Sequence, residues 1–327
     1  MTETVDSHPY DQLSPETIME AVESQGYLSD ARLLALNSYE NRVYQVGIED
    51  AEPLIAKFYR PDRWSTEQIQ EEHDFSHELS EADVSVVPPL RNGDGQSLHE
   101  YGGFQFALFP RRGGHPPELD NPDNLLVLGR TLGRIHAVGK SRPFRHRIDI
   151  TPRRMAVESY QFLSEHFLPA DVHTAYVTLA EDLVQRIEAA YRDVAEIRTH
   201  GDCHVGNILW RDETAHFVDL DDCCSAPAVQ DLWMLLSGDR AQQTAQISEL
   251  LEGYEEFCDF NTAELGLIEA LRTMRIMHYA AWLGRRWSDP AFPRSFPWFG
   301  DSRYWSDHIL ELREQLAAFD EPPLQLY

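Results

Sequence analysis

Residues 200–210 read His200-Gly201-Asp202-Cys203-His204-Val205-Gly206-Asn207-Ile208-Leu209-Trp210, and residues 216–222 read His216-Phe217-Val218-Asp219-Leu220-Asp221-Asp222. An acid, an amide five residues on, a short apolar strand and a second acid at a strand end form one ordered set. Phosphoryl transfer asks for these residue types. A carboxylate must orient the acceptor hydroxyl or take its proton, and hard oxygen ligands must hold Mg²⁺ on the phosphates. Asp202 suits the first role, and Asn207 with Asp219 suits the second. NILW and HFVDL read as two strands flanking a loop, which would bring both ligands to one edge. The plainer alternative is a polar loop between strands. A zinc pair made by His200 and His204 would need a helix, and Gly201 argues against one.

The stretch resembles the kinase-like phosphotransferases of the aminoglycoside and choline kinase type, whose signature is H-G-D-x-H-x-x-N followed by a strand-borne Asp. His200, Gly201, Asp202, His204 and Asn207 match it, and Asp219 takes the last place. The resemblance implies an α+β, protein-kinase-like fold of two lobes: a small antiparallel sheet, then a larger helical lobe. It also implies ATP and Mg²⁺ as cofactors. His200 is expected to pack within the loop's hydrogen-bond network, and His204 either holds the loop or contacts phosphate.

Upstream, the alternation in PLIAKFY puts Leu54, Ala56 and Phe58 on one face and Ile55, Lys57 and Tyr59 on the other. Only two of the 28 basic residues are lysines, Lys57 and Lys140. A lysine surviving in so arginine-rich a chain invites a role that a guanidinium could not fill, and a slender charge reaching nucleotide phosphates is such a role. Lys140 has no such context and reads as surface. Ser65-Thr66-Glu67-Gln68 is a capping box opening a helix. On that helix Ile69, Glu72, Ser76 and Leu79 share a stripe, so Glu72 would face inward and need a cation, with Lys57 the obvious partner. Glu71 is the neighbouring alternative.

The resemblance assigns further positions. The nucleotide-covering loop falls at Asn37-Ser38-Tyr39-Glu40-Asn41, which has no glycine, so Ser38 and backbone amides would meet the phosphates. The joint between lobes would supply adenine contacts through main-chain groups of Phe109, Pro110, Arg111 and Arg112, with only a carbonyl available from Pro110. Asp231, in the helix opened by Pro227, would brace the catalytic loop. Arg272, Arg275, Arg285 and Arg286 accompany an aromatic-rich helix, either snorkelling from a packed helix or forming a wall for the acceptor.

The 327 residues suffice for one large or two medium domains, at 42% hydrophobic and 25% charged. The 28 basic and 55 acidic residues leave a formal charge of −27, which disfavours nucleic-acid partners. No apolar run is long enough to span a membrane, and the acidic start lacks the apolar core of a signal peptide, so a cytoplasmic protein is expected. Cys203, Cys223, Cys224 and Cys258 make no C-x-x-C pair, which fits reduced thiols.

Ser14-Pro15-Glu16 caps a first helix. Strands are expected in LLALNSYENRVYQVG, PLIAKFY, VVPPL and FQFALF, interrupted by a helix from Thr66 to Leu79. Beyond Gly113-Gly114 helices dominate. Leu125, Leu128, Leu132 and Ile135 mark the first of them, and others are expected near 154–166, 171–195, 229–236, 241–258, 262–284 and 302–318. The domains expected are 1–107 as the N-terminal lobe with a helical extension, 108–114 as the joint, and 115–327 as the catalytic lobe. Within the superfamily, LNSYENRVYQ, KFYRPDRW, AVQDLWMLL and EALRTMRIMHYAAWLGRRWSDPAFP resemble the bacterial stress response kinase A family. That implies a serine/threonine protein kinase of the stress response with protein substrates; a monomer able to phosphorylate itself is expected. A small-molecule kinase for an amino-alcohol or aminosugar is the alternative, and a nucleotide-binding pseudoenzyme is the third reading.

Overall fold

A computed structural model describes residues 10–326. The chain forms two compact units. One comprises Met1–Pro117, Phe144–Arg147 and Gly206–Asp222; the other comprises Glu118–Pro143, Ile148–Val205 and Cys223–Tyr327.

In the first unit, α1 (Pro15–Glu23) starts where Ser14 accepts the Thr17 N–H and Pro15 fills the first helical position. The strands β1 (Ser29–Ala35), β2 (Arg42–Ile48) and β3 (Ala51–Phe58) follow, then α2 (Thr66–Glu81), β4 (His99–Tyr101) and β5 (Phe104–Pro110). They form an antiparallel sheet in the order β1-β2-β3-β5-β4. Leu54, Ala56 and Phe58 of β3 join a core with Ile18, Val22 and Phe106, while Tyr59 packs with Ile69 and Ala107. That is the alternation expected of PLIAKFY. The capping box of α2 is complete, Ser65 and Gln68 each satisfying the other's backbone N–H. VVPPL does not form a strand: Val86 makes one isolated bridge to Phe217, and Pro88 and Pro89 have no N–H for a ladder.

From residue 118 the elements are α3 (Pro122–Gly139), a π-helical turn at Arg153–Val157, α4 (Glu158–His166), α5 (Ala170–Ala190), β6 (Ile197–Thr199), β7 (Ile208–Arg211) and β8 (Thr214–Phe217). Then come β9 (Cys224–Ala226), α6 (Val229–Trp233), α7 (Arg240–Tyr254), α8 (Ile268–Arg285), α9 (Ala291–Ser295) and α10 (Ser302–Ala318). Leu125, Leu128, Leu132 and Ile135 of α3 are all buried, as their spacing predicts. A Cβ on Gly129 would collide with the Leu250 carbonyl, and one on Gly253 with the Leu126 carbonyl, so α3 and α7 touch backbone to backbone. β6 pairs with β9.

The β7–β8 hairpin groups with the first unit. Trp210 and His115 exchange backbone hydrogen bonds, and the Phe217 N–H donates to the Ser85 carbonyl. The division therefore differs from one cut at 108–114 followed by a continuous lobe. All four cysteines are buried thiols outside any disulfide. Among the described residues no helix is long and apolar enough to cross a membrane.

Candidate active site

In the first unit, β3 delivers the buried Lys57 into a ring of carboxylates. Its Nζ lies 3.5 Å from Glu72 Oε1, 3.0 Å from Asp219 Oδ1 and 3.1 Å from Asp221 Oδ1. Burial alone would lower the ammonium's pKa, but the three carboxylates outweigh it and hold the pKa well above the usual lysine value. Glu72, buried on α2, is pushed up to about 7 by burial, with Lys57 opposing. Its second oxygen accepts no hydrogen bond. Glu71 points elsewhere and accepts the backbone N–H groups of Arg145, His146 and Arg147 at 2.7, 2.7 and 2.8 Å. Successive positions of a helix point about 100° apart, which separates these two acids.

Asn207 ends a short 3₁₀ turn before β7, and its backbone carbonyl accepts the Val218 N–H at 3.0 Å. That bond ties residue 207 to the strand end carrying Asp219. Asp219 adopts a left-handed backbone with φ +59°, and its side chain is 54% exposed. A half-exposed carboxylate and an amide oxygen are the donor types that a hard divalent cation accepts.

Asp221 was not among the expected site residues, and it is the most heavily engaged of the three acids. It is buried, its carboxylate pairs with Arg63, its carbonyl accepts from Arg147, and Asn41 Nδ2 donates to Oδ2 at 3.0 Å. Burial would raise its pKa, but Arg63 and then Lys57 outweigh that and hold it well below the usual carboxylate range. Asn41 closes the loop between β1 and β2, so this bond ties the half-buried Ser38 and its neighbours to the segment after β8. Phe109 and Pro110 finish β5 opposite Ile55 and Leu54, and Arg112 follows in the exposed segment beyond.

In the second unit, the loop from His200 to His204 is organised by Asp231 of α6. This fully buried carboxylate accepts the backbone N–H of His200 at 2.7 Å and of Gly201 at 2.9 Å, and lies 2.9 Å from His136 Nε2. Burial pushes its pKa up, and these hydrogen bonds more than reverse the effect. Gly201 has φ +83°, where a side chain would be strained. The buried His200 contributes its N–H to this brace. His204 is partly exposed, with Nε2 3.5 Å from Asp202 Oδ2. Asp202 is also paired with Arg275, Nη1 to Oδ1 at 2.7 Å. Burial would raise Asp202, but Arg275 and His204 hold it below the ordinary aspartate value. It is ionised at neutral pH and suited to accepting a hydroxyl's hydrogen bond. The helical spacing had left Arg275 between a snorkelling and an acceptor-facing role; in the structure it pairs with Asp202.

A model of the phosphotransferase enzyme family matches residues 32–268. The serine/threonine protein kinase RdoA of Salmonella typhimurium is 48% identical over 97% of this chain and 97% of its own. Stress response kinase A of Escherichia coli is 46% identical with the same coverage of each. Among solved structures, amicoumacin kinase hAmiN in complex with AMP-PNP, Ca2+ and Ami superposes with a TM-score of 0.72 at 20% identity, covering 94% of each chain. The microcompartment-associated aminopropanol kinase gives 0.69 at 16% identity, covering 94% of this chain and 99% of its own. At such identities these two likenesses speak for the fold alone.

Proposed function

Because this chain belongs to the phosphotransferase enzyme family, and within it to the stress response kinase A family, it is a phosphotransferase acting on an alcohol, and we propose that it is an ATP- and Mg²⁺-dependent serine/threonine protein kinase of the stress response. The observation that carries this reading is Lys57 held between Glu72 and Asp219, a buried cation set beside the metal-competent acid. Lys57 meets the nucleotide phosphates, and Glu72 keeps its ammonium in place. Ser38 and its loop cover the phosphates, and the main chain at Phe109, Pro110 and Arg112 receives the adenine.

Asn207 and Asp219 hold the divalent cation, which neutralises phosphate charge when bound. Asp202 orients the acceptor hydroxyl and receives its proton as that oxygen bonds to the γ-phosphorus. The bond from phosphorus to the β–γ bridging oxygen breaks, and ADP leaves with the electron pair. Asp231 acts through the loop, fixing Asp202 by way of the His200 and Gly201 amides.

The choice of a protein acceptor rests on a relative named as a serine/threonine protein kinase, RdoA of Salmonella typhimurium, which matches this chain nearly end to end. We place the enzyme in the cytoplasm as a monomer, with protein substrates and its own side chains as acceptors, and with neither nucleic acid nor membrane as partner. A second reading, an amino-alcohol or aminosugar kinase, draws on the fold shared with the amicoumacin and aminopropanol kinases. Incubation with labelled ATP, with and without Mg²⁺, beside protein and small-molecule acceptors separates the two. Phosphoserine or phosphothreonine formed only with Mg²⁺ supports the proposal, and label confined to a small amine overturns it.

A further inference from the structure

In a chain of formal charge −27, four arginines gather around His278 in the second unit, one of them the Arg275 that pairs with Asp202. Arg275, His278 and Arg285 occupy one stripe of α8, with Arg286 at its end. Arg154 comes from the π-helical turn that packs against α8. His278 lies among them, with Nδ1 3.4 Å from the Ser159 hydroxyl. Burial first, then the charges of Arg285, Arg286, Arg275 and Arg154, push its pKa down to about 4, so the imidazole stays neutral beside four cations. Arg154 and Arg285 are exposed, and Arg275 is 42% exposed while bonded to Asp202. Arg285 rests over the Phe162 ring and Arg286 over Trp282, so their guanidiniums are fixed by aromatic faces and lose little freedom on meeting a ligand. Two acids stand beside them: Glu158, paired with Arg153, and the buried Asp289, whose N–H donates to the Arg286 carbonyl.

Resting on the protein-kinase reading, we propose that this arginine surface selects acceptors whose serine or threonine is flanked by an anionic group, a carboxylate or a phosphate, and that the flank draws Arg275 away from Asp202. Arg275 occupies Asp202 Oδ1, an oxygen that the acceptor hydroxyl would otherwise use. An anionic side chain beside the hydroxyl offers Arg275 a competing partner, as strong as the one it leaves. Asp202 is then freed when the correct acceptor is present, and the hydroxyl proton passes to it as the new P–O bond forms and ADP departs. A cationic amino-alcohol gives Arg275 no such partner and is repelled by the remaining arginines.

The test uses three peptides sharing one serine, flanked by neutral residues, by glutamates or by phosphoserine. The wild type should prefer at least one anionic flank over the neutral one by about tenfold or more in kcat/KM. The glutamate and phosphoserine arms tell carboxylate from phosphate. Combining Arg154→Ser with Arg285→Ser should bring the anionic-to-neutral ratio close to one, chiefly through KM, whereas Arg285→Lys should retain most of it. Should the double variant fail to fold, the wild-type ratio carries the test instead, and it should shrink steeply as salt is raised. Equal rates on all three peptides would overturn this inference and leave the protein-kinase reading standing. No labelled peptide at all, with label on a small amine, would overturn both. A single-stranded RNA that binds the enzyme while anionic peptides gain no preference would also overturn the inference.

Discussion

Asp219 and Asp221 stand two positions apart, one half-exposed at the end of β8 and the other buried under Arg63, Lys57 and Asn41. Their substitutions should separate activity from stability. Asp219→Asn keeps a residue that tolerates the left-handed backbone and leaves Lys57 with Glu72 and Asp221, so the urea midpoint should fall only modestly while turnover is lost. Asp221→Asn leaves buried cations short of a counter-charge and should cost about 3–5 kcal/mol, read from the same unfolding curves. Equal loss of stability in both variants would contradict this division. Asp202→Asn keeps the size and hydrogen bonding of the side chain but removes its charge. Transfer should fall by roughly 10² or more while ATP affinity, measured by calorimetry, changes little. Lost ATP binding would refute the role given to Asp202.

Among the elements, Asp231 joins α6 to the loop carrying Asp202, and its depressed pKa turns that brace into a pH dependence. A carboxylate whose folded pKa lies below its unfolded one contributes stability in full above the unfolded value, near 3.9, and loses it as pH falls through the folded value. Asp231→Asn should therefore lower stability by about 3 kcal/mol at pH 7 and flatten its fall below about pH 4. Denaturant titrations at a series of pH values check both; an unchanged acid slope would remove Asp231 as its source. At the α3–α7 contact, Gly129→Ala should cost about 1–3 kcal/mol by wedging two backbones apart, and a thermal melt matching the wild type would contradict the close approach. Helices such as α2 and α3 were readable beforehand, because caps and apolar spacing are local and repeat. The three-residue strands β4, β6 and β9 are too short to show an alternation, and VVPPL carries strand-forming valines but prolines that forbid a ladder. At the site, Lys57 and Glu72 could be paired from a strand face and a helix stripe. The engagement of Asp221 could not, because its partners Arg63 and Arg147 lie 158 and 74 positions away.

On the scale of the whole molecule, the first unit is assembled from three separate stretches of chain, the last of them Gly206–Asp222. Lys57 finds Glu72 within its own stretch, but Asp219 and Asp221 arrive only with the last. A fragment ending at Pro117 would therefore hold Lys57 and Arg63 without most of their counter-charge. It should lack a cooperative unfolding transition and be cleaved rapidly by protease, whereas the full chain should resist; a fragment melting as sharply as the full chain would contradict this. The same discontinuity bears on how the protein is made. At about 5–20 residues per second, the ribosome needs on the order of ten seconds to pass from the end of the first stretch to the end of the last. For that interval the sheet waits without the acids that close around Lys57, and the first unit is completed while Cys223–Tyr327, the longest stretch of the second, has still to emerge.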